Sequence, residues 1–195
     1  MFSYLGKASP VWRNGQWVKT WGWMDLKRVQ LDIGTRWAAA CEVPDQMLFY
    51  KAHSGIQTVR FRAALEFPLQ QVALWVLAAL RRVGLPLPVH RWAAGLNRCA
   101  GLFDAFAGDR GGMSVTVVGQ DQAEVRIHRT WQRAVPARDG PEIPCMAAIL
   151  LARRIAHSIL VKPMAQPCVG LLTLADFEPE FARWGITTRI EEGEL

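Results

Sequence analysis

The tightest constraint in this sequence is Val72–Leu80, nine consecutive apolar residues bounded by Gln70-Gln71 and Arg81-Arg82. A membrane span requires about 20 such residues, so this segment cannot cross a bilayer, and a helix that is apolar all round has to be covered all round. Burial in a core or in a subunit interface is the common fate of such a helix. The alternative is a monotopic contact, in which apolar side chains dip into a membrane interface while Arg81, Arg82 and Arg91, with Trp92, meet the headgroups.

The rest of the composition is that of a globular chain. Apolar residues make up 51% of 195 positions and charged residues 21%, which excludes a disordered, collagen-like or coiled-coil protein. The length suits a single domain over residues 1–195. The net charge of +6 is unevenly spread, since from Leu174 to Leu195 six acids stand against two bases. An excess of bases attracts phosphate weakly. These bases form no contiguous stripe, however, and the nine tryptophans sit among apolar neighbours, so nucleic acid is not the expected partner. Cys41, Cys99, Cys145 and Cys168 are far apart with no CxxC, and they read as reduced, mostly buried thiols. No apolar run follows Met1, so no secretory signal is legible. The expected location is cytoplasmic, with peripheral membrane attachment open through the helix at 72–80.

Local signals give an α+β order. Asn14-Gly15 between Val11-Trp12-Arg13 and Gln16-Trp17-Val18 predicts a hairpin, because both central residues of a type I′ turn need positive φ. Strands are expected over Lys27–Ile33, Trp37–Val43 and Ile56–Leu65, the last with Arg60 and Arg62 on one face. Pro44–His53 reads as a short helix. Pro68 opens a long helix, Gly84–Pro88 breaks it, and Val89–Phe106 repeats apolar residues at helical spacing, so the two helices form a long helical hairpin. Gly108–Gly112 is a turn cluster. Met113–Val118 and Ala123–Val135 form a second β-hairpin, Pro136–Pro144 a loop, Cys145–Val161 a helix, Leu174–Trp184 a helix capped by Thr173, and Ile186–Ile190 a short strand. The expected architecture is α+β, α/β-like in its layering, with a mixed, largely antiparallel sheet covered by helices.

Chemistry-bearing motifs are sparse. Neither GxGxxG nor GxxxxGK[ST] occurs, so no phosphate cradle can be placed at a helix start and no NAD(P) site is expected in this chain alone. HExxH, GxSxG and close histidine pairs are also missing, and no metal site is expected. What remains is a set of bases on or beside strands, Arg60, Arg110, Arg126 and His128, which could form a cationic floor for an acidic ligand. Solvated strand-face charge is the commoner fate of such residues. A histidine on a strand is likewise more often a satisfied structural group than a base.

An ordered set of segments resembles the part of saccharopine dehydrogenase-like oxidoreductases that follows their Rossmann domain. It comprises Val29-Gln-Leu-Asp-Ile-Gly-Thr-Arg-Trp, Val43-Pro-Asp, Leu48-Phe, Gly55-Ile-Gln-Thr-Val-Arg-Phe and Ala64-Leu-Glu. It continues with the apolar helix after Pro68, Gly111-Gly-Met-Ser-Val, Gly140-Pro-Glu-Ile-Pro and Cys168-Val-Gly-Leu-Leu-Thr-Leu. The likeness runs from Val11 to Gly185. It implies a substrate-side and dimerisation domain that closes an active-site cleft and often supplies the dimer contact, so that a homo-oligomer is expected and NAD(P) enters only with a Rossmann-domain partner in trans. The family's glycine-rich loop and ribose-reading acid have no counterpart here, so the resemblance does not make this polypeptide an enzyme on its own. The other reading of the residues is a non-enzymatic module for a small acidic or lipid-like ligand or a membrane surface.

Overall fold

A computed structural model of the chain describes residues 2–101, 110–120, 122–135, 142–157, 159 and 165–194. The fold is α+β: among these residues it has five α-helices and eight strands, the strands arranged in one two-stranded and two three-stranded antiparallel sheets. One mixed sheet was expected. The parallel contact that exists is an isolated bridge between Leu5 and Gly22. The chain forms two compact units, Met1–Gln30 with Thr35–Ala107, and Leu31–Gly34 with Gly108–Leu195.

In the first unit, β1 (Ala8–Arg13) and β2 (Gln16–Trp21) pair with Arg13 opposite Gln16. Asn14 and Gly15 adopt φ of 51° and 72°, the conformation a type I′ turn demands. A second sheet has the order β3 (Lys27–Leu31), β4 (Gly34–Ala40), β5 (Arg62–Ala64). The strand expected over Ile56–Leu65 shrinks to those last three residues. Its first half spends its backbone groups elsewhere: Val59 N–H donates to Trp12 O at 3.0 Å and Gly15 N–H to Gln57 O at 2.9 Å. In return, Trp12 Nε1–H donates to Ile56 O at 2.7 Å. The segment thereby clamps the first hairpin. Helix α1 (Asp45–Ala52) follows Pro44.

Helix α2 (Pro68–Arg82) starts with proline in its first turn, where the missing N–H has no role to lose. Gln71, Leu74 and Ala78 lie on one face and are buried with Leu5, Trp23, Ala39 and Val89. Two glycines allow the chain start to pack this closely. A Cβ on Gly6, whose φ is +64°, would stand 2.4 Å from Ala78 O, and one on Gly22 would stand 2.4 Å from Tyr4 O. Buried Gln71 accepts the Leu65 N–H at 2.9 Å, tying the end of β5 to the helix. Leu69, Val72, Val76, Leu80 and Val83, spaced three and four apart along the opposite face, are all exposed. The fold therefore covers one side of the apolar segment and leaves the other open.

Helix α3 (Val89–Gly101) buries Val89, while Trp92 and Cys99 are exposed; Phe103 and Phe106 lie outside the described residues. The helix also lies against the 3-10 turn Phe2–Tyr4. The long helical hairpin is not confirmed: Val89 joins Leu74 and Ala78 of α2 in one core cluster, and the expected continuation of the second helix beyond Gly101 lies outside the described residues. The cysteines also depart from expectation. Cys99, Cys145 and Cys168 are exposed, and Cys41 alone is half-buried.

The second unit is built on the sheet β6 (Gly111–Gln120), β7 (Arg126–Val135), β8 (Thr187–Glu194), antiparallel throughout. Helices α4 (Glu142–Ala156) and α5 (Leu174–Arg183) supply Met146 and Phe181 to a core with Val135 and Ile186. α4 begins inside the expected 136–144 loop, since Pro144 fits a first helical turn; residues 136–141 lie outside the described set. Arg133 is 2% exposed. Its guanidinium stacks over Phe181 at 3.3 Å and Trp131 at 4.5 Å. Burial pushes its pKa down and the carboxylate of Glu178 opposes that shift. At the start of α5, Asp176 accepts the Thr173 N–H at 2.7 Å and the Thr173 hydroxyl at 2.9 Å, and it pairs with Arg154 at 2.5 Å.

Three outcomes follow for stability. In urea melts, Leu74→Ala lowers stability by about 2–5 kcal/mol through the cavity it leaves, and Gly22→Ala lowers it by about 1–3 kcal/mol through overpacking against Tyr4. The Thr173 hydrogen bonds, then Arg154, hold Asp176 below its ordinary pKa. Its contribution is thus complete above the usual carboxylate range and disappears as pH falls through the lowered value. Asp176→Asn flattens that acid-side decline, as thermal melts across the acid range would show.

Candidate functional site

The four bases singled out in the sequence are divided between the two units. Arg60 is exposed on the irregular segment before β5 in the first unit; the other three belong to the second. Its neighbour Arg62 is spent on structure, donating to the backbone carbonyl and the carboxylate of Asp25. Asp25 sits at φ 53°, so this clamp holds a left-handed residue in place. Gly111 pairs with Val135 and Gln120 with Arg126. Arg110, just before β6, and Arg126, at the start of β7, therefore stand at opposite ends of a hairpin about 30 Å long at ~3.3 Å per residue.

Only Arg126 and His128 are brought together, two residues apart on one face of β7. Thr130 and Gln132 continue that face, and Thr130 shares a 3.0 Å hydroxyl contact with Thr116 on β6. His128 lies across β8 at Gly193, where a Cβ would come within 2.6 Å of the ring. Glycine at 193 is what lets the imidazole lie flat on the neighbouring strand. Buried His128 Nδ1 and Gln132 Oε1 find no partner among the described residues. The central strand thus carries a polar line of one imidazole, one hydroxyl and one buried amide, with Arg126 at its exposed end. Arg126 and the imidazole can hydrogen-bond an acidic ligand.

A different cluster appears where the sequence showed only an excess of tryptophan. The tight hairpin sets Trp12 opposite Trp17, and Tyr50 of α1 closes on both. Ring centroids stand 5.2 Å apart for the tryptophan pair, 4.4 Å for Trp12–Tyr50 and 5.2 Å for Trp17–Tyr50. Beside it, Pro10, Trp17, Val43, Pro44 and Met47, with Glu42 and Gln46, line an open groove of about 250 Å³. Gln46 is fixed by donating from Nε2 to Cys41 O at 3.2 Å. This groove suits an apolar group, and Glu42 is the one ionisable side chain lining it. The Asn-Gly register makes the Trp12–Trp17 pair legible in sequence, whereas nothing local points to Tyr50.

Near the groove, Tyr4 Oη and Cys41 Sγ lie 2.8 Å apart. Burial, then the hydrogen bond and charge of Cys41, push the Tyr4 phenol up to about 12. Among the described residues no three His, Cys, Asp or Glu side chains converge into a metal-binding group, and no helix is long and apolar enough to cross a membrane. In comparisons with known proteins, no family model matches the chain and no curated protein matches it.

The sequence contains two tyrosines. In Tyr50→Phe the remaining phenol, Tyr4, should titrate at about 12 when absorbance near 295 nm is followed with pH. A midpoint near 10, the ordinary tyrosine value, would show that the Tyr4–Cys41 environment is not closed. A phenol with a raised folded pKa stabilises below the unfolded value and loses that contribution as pH climbs toward the folded one. Tyr4→Phe therefore reduces the alkaline decline of stability.

Proposed function

We propose that this chain is the substrate-side and dimerisation domain of a saccharopine dehydrogenase-like oxidoreductase, dependent on a Rossmann-domain partner for NAD(P). The observation that carries the reading is the uncovered apolar stripe of α2, Leu69, Val72, Val76, Leu80 and Val83. A domain that docks against another needs such a surface. The resemblance supplies the identity of the partner, and its segments fall at structural junctions. Val29–Trp37 spans the β3–β4 turn, Gly111-Gly-Met-Ser-Val opens β6, and Cys168–Leu174 leads into α5. On this reading, Arg126 and His128, which share one face of β7, are the ligand-facing groups.

One observation favours a second reading, attachment to an anionic lipid surface or an acidic lipid-like ligand. From Pro68 to Gly101 the chain carries four arginines and no acid, and the same stretch bears the open stripe and the exposed Trp92. Basic, acid-poor amphipathic helices bind anionic headgroups while inserting apolar side chains.

Calorimetric titration of the chain with NADPH and with NADH should give no saturable binding; tight binding would overturn the dependence on a partner. Sedimentation with anionic and neutral vesicles at low salt decides the second reading, because a peripheral protein pellets with the anionic ones and is released as salt screens the attraction.

A further inference from the structure

The sheet of the second unit has two edges of opposite character. β8 carries Arg189, Glu191, Glu192 and Glu194, whereas β6 reads Gly-Gly-Met-Ser-Val-Thr-Val-Val-Gly-Gln, with no ionisable residue and no proline. An edge strand presents a row of unpaired N–H and C=O groups, and proteins guard such edges with charge, proline, bulges or cover. β8 is guarded in this way. Among the described residues β6 pairs on one side only, with β7, and Val117 and Val118 are 64% and 51% exposed.

We propose that β6 is the surface through which two copies of this chain associate, edge to edge and antiparallel about a two-fold axis at Val115, to form one continuous sheet. The strand is complementary to itself in that register. Val115 faces Val115 of the partner subunit, Met113 meets Val117 of the partner subunit, and Ser114 meets Thr116 of the partner subunit. Apolar side chains meet on one face, hydroxyls meet on the other, and no like charges oppose each other. A slip of one residue sets Val115 against a threonine and breaks both matches. The same operation on β8 would bring its glutamates face to face. The contact is isologous, the usual geometry of a homodimer. It rests on the dimerisation half of the reading above and gives it a location.

Sedimentation velocity of the full chain tests the proposal. Wild type is expected to sediment as a dimer. Val115→Glu and Val115→Lys should each lose the dimer with unchanged far-UV circular dichroism, because each places like charges across the axis. An equal mixture of the two should recover it through opposite charges. Should either variant lose its circular dichroism, the double variant Ser114→Glu/Thr116→Glu takes its place with the same expected loss, because it sets glutamate against glutamate of the partner subunit on the other face of the strand. A wild-type monomer overturns both this proposal and the dimerisation reading. A wild-type dimer that persists in the charged variants, or folded variants whose mixture stays monomeric, overturns the β6 contact alone.

Discussion

One-sided coverage is the constraint on which the rest of this structure depends. Helix α2 is apolar on two opposite faces, and the fold packs only the one carrying Leu74 and Ala78. That face is reached because Gly6 lets the chain start come against the helix backbone at Ala78. Fully burying one large aliphatic side chain contributes about 1.5–3 kcal/mol, so leaving five in water is a substantial forgone contribution. The second unit repeats the arrangement. Its helices cover the end of the sheet holding Val135 and Arg133, and Val115, Val117 and Ile190 beyond them stay exposed. Both units are organised around surfaces that their own elements do not finish.

The polar chemistry is subordinate to that organisation. Arg62, Arg153 and Arg154 hold acids that shape backbone: Asp25 at a left-handed position, Glu180 within α5 and Asp176 at its start. Arg133 is committed to aromatic rings in a core. A cation that braces a turn is not available to a ligand. Arg126 and His128 on β7 and the apolar groove beside Trp17 lie outside these braces.

Local rules expressed the short-range geometry well. Asn14-Gly15 specified its hairpin and register, Pro68 the start of α2, and Thr173 the start of α5, each through chemistry confined to a few residues. What eluded them depends on distant partners. Nothing within Ile56–Phe61 shows that its backbone will bond to Trp12 and Gly15 rather than continue a ladder. Helical periodicity in Val89–Phe106 cannot tell which neighbour the helix will meet. The separation of Arg110 from Arg126 has the same cause. Alternation fixed the face of β7 that holds Arg126 and His128, but the pairing of Gly111 with Val135 is what sends Arg110 to the far end.

The unequal edges of the β6–β8 sheet also bear on how far assembly can proceed. A sheet with two permissive edges has no natural stopping point and grows into a filament. Here the outer edges of a β6-joined pair would both be β8, carrying Glu191, Glu192 and Glu194, and two such edges repel. The acidic C-terminal strand then serves as a terminator, closing growth at two copies while leaving the neutral strand free to join.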